Sequence, residues 1–374
     1  MWKALVLASG ILGVLMGMTG PRACAAEDEA SRGDQARPQV QPLIRGALWW
    51  LPPQVAGWSD EQLERAIQAQ HDVGFDLLWL LNAAGVPAKD GGADLLERIY
   101  SLADQKNMKV IIDLPQGGWY RKASAEELIA QVTEAVRDLH GRYGHHPSFH
   151  AWYLNYEINP IRPGDTEETA FWRHVWKSIT AECHRVAPGS LVTISPFFLL
   201  DDTSRRGFIY LTPQQYAEWW GATLKETGID VIMLQDSGEH LAFFTLEQRE
   251  PFWAATARAA REAGAQFWLN VETGEADVRS WDEFLPLEAQ RKVPWRCTPI
   301  EWLEQKLLLA AKYSDNIINW GYFPFMDPYR SEGGEESGGG VFGGKAEASR
   351  AAYEQYQAYY QRVMKSPVSQ PPSR

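Results

Sequence analysis

Cysteine is scarce. The 374 residues contain three, Cys24, Cys183 and Cys297, too few for the disulfide framework that staples small exported domains. Positive charge is also short: 36 Lys and Arg face 48 Asp and Glu, giving a net charge of −12. No basic run is long enough to follow a phosphate backbone, so nucleic acid is not an expected partner. There is no Gly-x-Gly-x-x-Gly turn after the first apolar run and no P-loop, the usual nucleotide-binding devices of α/β sheets. After the first twenty residues no apolar segment reaches the ~20 residues that span a bilayer, so no membrane span is expected.

Aromatic residues, by contrast, are plentiful: 17 Trp, 14 Tyr and 14 Phe. Tryptophan is rarely buried completely, so the surplus implies half-exposed ring faces, in a large core or in a cleft that stacks flat sugar rings.

The N-terminus reads as a secretory signal over residues 1–25. Lys3 is the charged start, "ALVLASGILGVLMGM" (4–18) the apolar stretch and Ala23-Cys24-Ala25 the small-residue cleavage site. Export to the periplasm or the outside is the expectation. Residues 26–42 form a polar, Pro-containing lead-in and 365–374 a frayed tail, leaving 43–364 as one folded domain. Cys183 and Cys297 fall in distant elements and are expected to be free, buried thiols.

Within that domain one pattern repeats: a short apolar run, a polar loop, then a helix. The runs are 43–51, 75–82, 108–114, 150–157, 190–196, 229–236, 266–272 and 316–323, each strand-sized and rich in β-branched or aromatic residues. Helix starts are marked by capping boxes at Ser59/Gln62, Ser124/Glu127, Thr212/Gln215, Thr245/Gln248 and Thr298/Glu301, two of them with Pro at the first helical position. Segments 91–106, 166–186 and 347–364 add amphipathic helices. Eight near-continuously apolar strands, each followed by a helix, predict a parallel sheet covered by helices, and specifically a single (β/α)₈ TIM barrel. The long loops (115–123, 158–165, 197–211, 237–244, 273–297 and 324–346) all follow strands. In a barrel they crowd onto one face, the catalytic one, where the Gly-rich 332–345 is suited to a lid.

The ends of the strands carry the chemistry. Side chains alternate along a strand, so Tyr153, Asn155 and Glu157 share one face, as do Trp268, Asn270 and Glu272. Two strands three units apart thus end in Asn-x-Glu. Asn82, Asp113, Gln235, Asp236, Trp49, Trp320 and Tyr322 stand at other strand exits and are expected to line the same mouth. Two carboxylates across such a cleft can cleave a glycosidic bond, one giving a proton to the leaving oxygen, the other attacking the anomeric carbon or activating water. Neighbouring Asn and Gln can bond sugar hydroxyls, and Trp can stack on the ring. Simpler roles compete: Glu157 could pair with Arg162 or Arg173, Asp113 could brace a strand, Asp236 could cap its loop, and Glu275 and Asp277 are expected in solvent. Trp119 and Trp281 suit core or lid as well as cleft. His145, His146 and His150 precede the fourth strand, away from the mouth, and His240 alone is too little for zinc, so neither metal nor cofactor is expected.

The runs "WYLNYEIN", "ISPFF" (194–198), "DVIMLQD" (230–236) and "WLNVE" (268–272) together resemble the secreted bacterial family catalogued as domain of unknown function 4434, over roughly residues 43–330. The resemblance implies a TIM barrel related to glycoside hydrolases. More distantly the layout is similar to the glycosidase clan with an acid/base Glu after strand four and a nucleophilic Glu after strand seven. That likeness implies Glu157 as acid/base and Glu272 as nucleophile, although the clan has Asn directly before its acid and here Tyr156 intervenes. The expectation is a monomeric, exported, retaining glycoside hydrolase acting on a polysaccharide or oligosaccharide. The alternatives are a carbohydrate-binding barrel without catalysis and an inverting enzyme pairing Glu157 with Asp236.

Overall fold

The computed structural model describes residues 40–51, 55, 57–83, 94–115, 123–157, 164, 166–330 and 345–365. The signal segment, nearly all of the lead-in, the tail beyond 365, Trp119, Arg162 and residues 332–344 of the expected lid lie outside the described residues.

All eight apolar runs are strands: β1 (Gly46–Trp50), β2 (Leu77–Leu81), β3 (Lys109–Asp113), β4 (Phe149–Leu154), β5 (Leu191–Ile194), β6 (Val231–Asp236), β7 (Gln266–Glu272) and, after two short strands described below, β10 (Asn316–Trp320). They pair in parallel around a closed barrel, which β10 completes by pairing β1 at Gly46↔Ile318. The chain is therefore a (β/α)₈ barrel.

Alternation sorts the strands into two apolar layers. Leu48, Trp79, Ile111, Tyr153, Met233, Trp268 and Ile318 fill the barrel interior, where Trp79 meets Tyr153 edge to face at 4.9 Å. Trp152, Leu154, Ile232, Leu234, Phe267 and Leu269 face outward beneath the helices. Each such side chain, fully buried, contributes about 1.5–3 kcal/mol, which is why a one-residue slip in any strand is excluded.

The helices begin as their sequences dictate. Ser59, Ser124 and Thr212 each accept the N–H of the third helical residue, whose Gln or Glu reaches back, at the heads of α1 (Asp60–Asp72), α3 (Ala125–Tyr143) and α5 (Pro213–Thr227). Asp94 caps α2 (Leu95–Gln105) by accepting from Leu96 N–H at 2.8 Å. α4 (Thr166–Val186) follows β4, and Thr245 N–H bonds Gln248 at 2.8 Å ahead of α6 (Leu246–Glu262). The fifth expected box does not form. α8 (Ile300–Tyr313) starts after Pro299, and the Thr298 hydroxyl instead donates to the Glu272 carbonyl at 3.3 Å.

Loop 273–297 is more ordered than its sequence suggests. It forms an antiparallel hairpin, β8 (Gly274–Ala276) with β9 (Trp295–Cys297), around the short helix α7 (Trp281–Ala289). Trp281 and Phe284 of α7 pack with Phe197, Leu199, Ala276 and Val278 in a satellite core, so loops after β5 and β7 wall one side of the mouth. After β10, Gly321 at φ +105° turns the chain into α9 (Tyr322–Phe325). Cys183 and Cys297 are both free; Cys183 is buried as expected, whereas Cys297 is only half-buried.

α10 (Ala346–Lys365) ties the barrel shut. Tyr356 Oη accepts the Ile44 N–H at 2.8 Å, Tyr353 donates to Ala69 O and Tyr359 to Pro42 O, each also at 2.8 Å. Among the described residues no helix is long and apolar enough to cross a membrane.

Candidate active site

The C-terminal ends of β4, β6 and β7 bring Glu157, Gln235, Asn270 and Glu272 together. Gln235 and Asn270 are register partners on adjacent strands, and Gln235 hydrogen-bonds Glu157 while its Nε2 also donates to Ser195 O at 2.8 Å. Glu272, 5% exposed, follows Asn270 on the inward face and lies beside Trp320 in register. Its Oε2 accepts the Gly238 N–H at 2.6 Å, from the loop after β6.

Burial governs the charge of these groups. It pushes the Glu157 carboxyl up to about 7, with Glu239 adding repulsion and the Gln235 bond opposing it. Glu239 itself is raised to about 7 by burial, against the pull of Arg206. Burial carries Glu272 well above the usual carboxylate range, although the Gly238 amide and Lys306 favour its ionised form. The mouth therefore holds three carboxyls whose protons leave at unusually high pH, a recurrent property of catalytic sites.

Glu239 was not anticipated from the sequence, because a loop residue has no alternation to announce where it points. It follows Gly238, and that glycine is clamped: a Cβ there would sit 1.9 Å from the Gly274 carbonyl oxygen. Trp50, which leaves the first strand beside Trp49, shares the inward parity of Leu48 and is 47% exposed at the exit of β1.

Several expected mouth residues are elsewhere. Asp236 shares the outward face of Ile232 and Leu234 and is wholly buried, between Arg249 Nη1 at 2.7 Å and Lys306 Nζ at 2.8 Å. Those cations hold its carboxyl below the usual range despite burial. It cannot meet a sugar, and the inverting pair Glu157–Asp236 falls with it. Trp49 likewise faces outward, stacked on Phe323 at 4.9 Å. Tyr322 is fully buried against Phe75 because the turn at Gly321 ends the strand's alternation.

Asp113 braces rather than lines. Its two oxygens accept the N–H groups of Asn82 and Ala83 at 2.8 and 2.9 Å, Asn155 also bonds it, and burial lifts its carboxyl to about 6. Asn82, at φ +65°, sends its amide to Leu51 O at 3.0 Å, as a left-handed turn residue. Glu275, expected in solvent, is buried and accepts the Trp302 indole N–H at 2.8 Å; Asp277 is exposed as expected. The ion pair offered for Glu157 with Arg173 is not made, since Arg173 bonds Thr223, Glu226 and Trp219 O.

Away from the mouth, the ligand atoms of Glu97, His145 and His146 lie within 4.8 Å of one another. His146 already has Asp104 at 2.7 Å on Nδ1 and Glu97 at 3.2 Å on Nε2. These carboxylates raise its pKa against the effect of burial, favouring an imidazolium ion pair. A cavity of about 460 Å³ lies at the opposite end of the barrel, among Arg45, Asp76, Lys109, His150 and Asp315. That is the end at which barrels of this type gain stability rather than activity.

Fold and site together define a (β/α)₈ barrel with a carboxyl-rich mouth at the C-terminal ends of its strands. Residues 52–332 match the family described as domain of unknown function (DUF4434), and the chain belongs to that family, as its sequence runs suggested. No curated protein sequence matches it. Among solved structures it is similar to a protein from Bacteroides thetaiotaomicron assigned as an alpha-L-fucosidase, with a TM-score of 0.63, 18% identity, and coverage of 91% of this chain and 99% of that one. It is also similar to the endo-1,4-beta-D-mannanase of Thermotoga petrophila (TM-score 0.53, 15% identity, 86% and 99% coverage). The GH53 catalytic domain of Ignisphaera aggregans is a third (0.52, 15%, 87% and 98%). At such identities these likenesses show the fold.

Proposed function

We propose that the protein is an exported, monomeric glycoside hydrolase that cleaves a polysaccharide or oligosaccharide with retention, using Glu157 as acid/base and Glu272 as nucleophile. The observation that carries this reading is that Glu157, bonded to Gln235 of β6, and Glu272, two residues beyond Gln235's register partner Asn270, stand at the exits of β4, β6 and β7, both carboxyls raised by burial. The fold shared with a mannanase and a GH53 catalytic domain supports the same class of chemistry.

In this mechanism Glu157 gives its proton to the leaving glycosidic oxygen as the carbon–oxygen bond breaks. The Glu272 carboxylate then forms the bond to the anomeric carbon. Water, deprotonated by Glu157, displaces Glu272 and restores the resting state. Glu272 must give up its proton to solvent before it attacks, a loss opposed by burial and favoured by the Gly238 amide and Lys306. Gly238 N–H steadies the attacking carboxylate, Trp320 stands beside it in register, and Trp50 offers an exposed ring at the exit of β1.

Glu272→Gln is expected to abolish turnover of an accepted glycan while leaving its binding intact. Unchanged turnover would remove Glu272 from catalysis, and a wild type that binds without cleaving would favour a lectin-like barrel. Proton NMR of the first product formed distinguishes retention from inversion by its anomer.

A further inference from the structure

Glu239 is held in the mouth by the chain around it. Gly238 is pinned on one side by its N–H bond to Glu272 and on the other by its carbonyl, which accepts Ala276 N–H at 2.9 Å. The next residue is thereby delivered to the edge of the site, within electrostatic reach of both Glu157 and Glu272.

The cations nearby are already engaged. Arg206 is ion-paired with Glu288, and Lys306 is spent on Asp236, Glu275 and the Glu272 carbonyl. His240, whose Nε2 lies 3.5 Å from Glu239 Oε2, is buried and kept neutral near pH 7, first by that burial and then by Arg206. The two cations that act on the mouth glutamates, Arg206 on Glu239 and Lys306 on Glu272, are thus each paired with another carboxylate.

A second observation points to a ligand that donates. Asn270 is 1% exposed and inward-facing, and its Oδ1 has no hydrogen-bond partner. A buried acceptor left unpaired costs about 1–3 kcal/mol, so a ligand that brings a hydrogen-bond donor to it gains by that amount. Hydroxyl and ammonium groups both donate, but only ammonium also answers the excess of carboxyls, with three N–H groups and no acceptor.

We propose that Glu239 and Asn270 receive a protonated amine, and that the glycan selected by this mouth carries a free amino sugar, a hexosamine without its N-acetyl group. The inference rests on the glycosidase reading and names the substrate class for the same site. Glu239 is a specificity residue in this scheme, and no bond is made or broken at it.

The test uses the full folded chain and linkage-free probes. Glucosamine and galactosamine would be titrated against their N-acetyl forms and against glucose and galactose, by NMR at pH 7. The amines are expected to bind about tenfold more tightly, the difference one charge-assisted hydrogen bond can supply. Glu239→Gln is expected to erase that preference, and Glu239→Ala provides a second variant whose fold is checked by circular dichroism. At pH 5 the preference should shrink, because Glu239 faces Glu157 and Glu272 as well as His240, Arg206 and Glu288, and the three mouth glutamates will then be largely protonated. Equal binding of amine and neutral sugars, or a preference that survives in both variants, overturns the proposal. Cleavage of neutral glycans without any preference for amines overturns it while the glycosidase reading stands. Failure of every sugar to bind and every glycan to be cut removes both.

Discussion

Glu157 and Glu239, each lifted to about 7, make the mouth sensitive to pH in two measurable ways. An acid that must be protonated to act loses activity as pH rises through its pKa, so turnover should fall above about pH 7, with Glu157→Gln lowering kcat by about 10²–10⁴-fold across the profile. Stability follows the same sign. A carboxyl whose folded pKa exceeds its ordinary 4.5 contributes stability that is fully present below that value and is lost as pH rises through about 7. Replacing Glu239 by Gln should therefore raise Tm relative to the wild type at pH 8, by about 2 °C after allowance for its part-exposure, and leave it unchanged at pH 4. A Tm difference that is the same at both pH values would mean that Glu239 ionises as an ordinary surface glutamate. At this scale alternation within β7 gives Asn270 and Glu272 their inward parity, whereas Asn155 and Glu157 lie beyond the end of β4 at Leu154, where Tyr156 N–H turns back to Leu154 O and the strand pattern stops. Nor could alternation expose Glu239, whose direction is fixed by a clamp on the glycine before it rather than by any periodicity.

Among elements, the exit of β7 is held from behind by a buried ionic cluster. Arg249 of α6 and Lys306 of α8 both meet Asp236 at the end of β6, and Lys306 also donates to the Glu272 carbonyl at 3.0 Å. Arg249 further supplies the carbonyls of Leu241 and Phe244, at 2.6 and 3.0 Å. Arg249→Met should lower stability by about 3–5 kcal/mol in urea unfolding, because it removes one of the two cations beside a charge that is wholly out of water. A loss below 1 kcal/mol would show that solvent reaches Asp236. The cluster was legible in part. Ile232, Leu234 and Asp236 have the same parity, so the alternation that turns Glu272 inward also turns Asp236 outward, and Trp49 with it. What no local pattern supplies is the identity of the partners, 13 residues away for Arg249 and on a different helix again for Lys306. Thr298 is a related case: its capping chemistry is real, but the carbonyl of Glu272 competes for the hydroxyl and wins.

For the whole molecule, eight strand-and-helix units were readable because each strand is buried on both faces and each early helix carries its own start signal. Closure was less visible, since it depends on contacts between distant parts of the chain. Gly74 shows how tight that closure is. It sits at φ +85° after α1, and a Cβ on it would lie 2.3 Å from the ring of Tyr360 in α10. Gly74→Ala should cost more than about 1 kcal/mol, from the left-handed backbone and the displaced ring together. Chemical denaturation would measure it, and a neutral substitution would mean that α10 stands off the barrel.

The tyrosine face of α10 also sets a timetable. Tyr356 bonds Ile44 across 312 residues of chain, so β1 leaves the ribosome long before the helix that secures it. At about 5–20 residues per second, that interval is roughly 15–60 s. For nearly all of it β10 has not been made, so the edge of β1 that β10 later covers stays able to pair with other strands. The nascent chain thus stays open to chaperones, and to aggregation, until translation has passed residue 360.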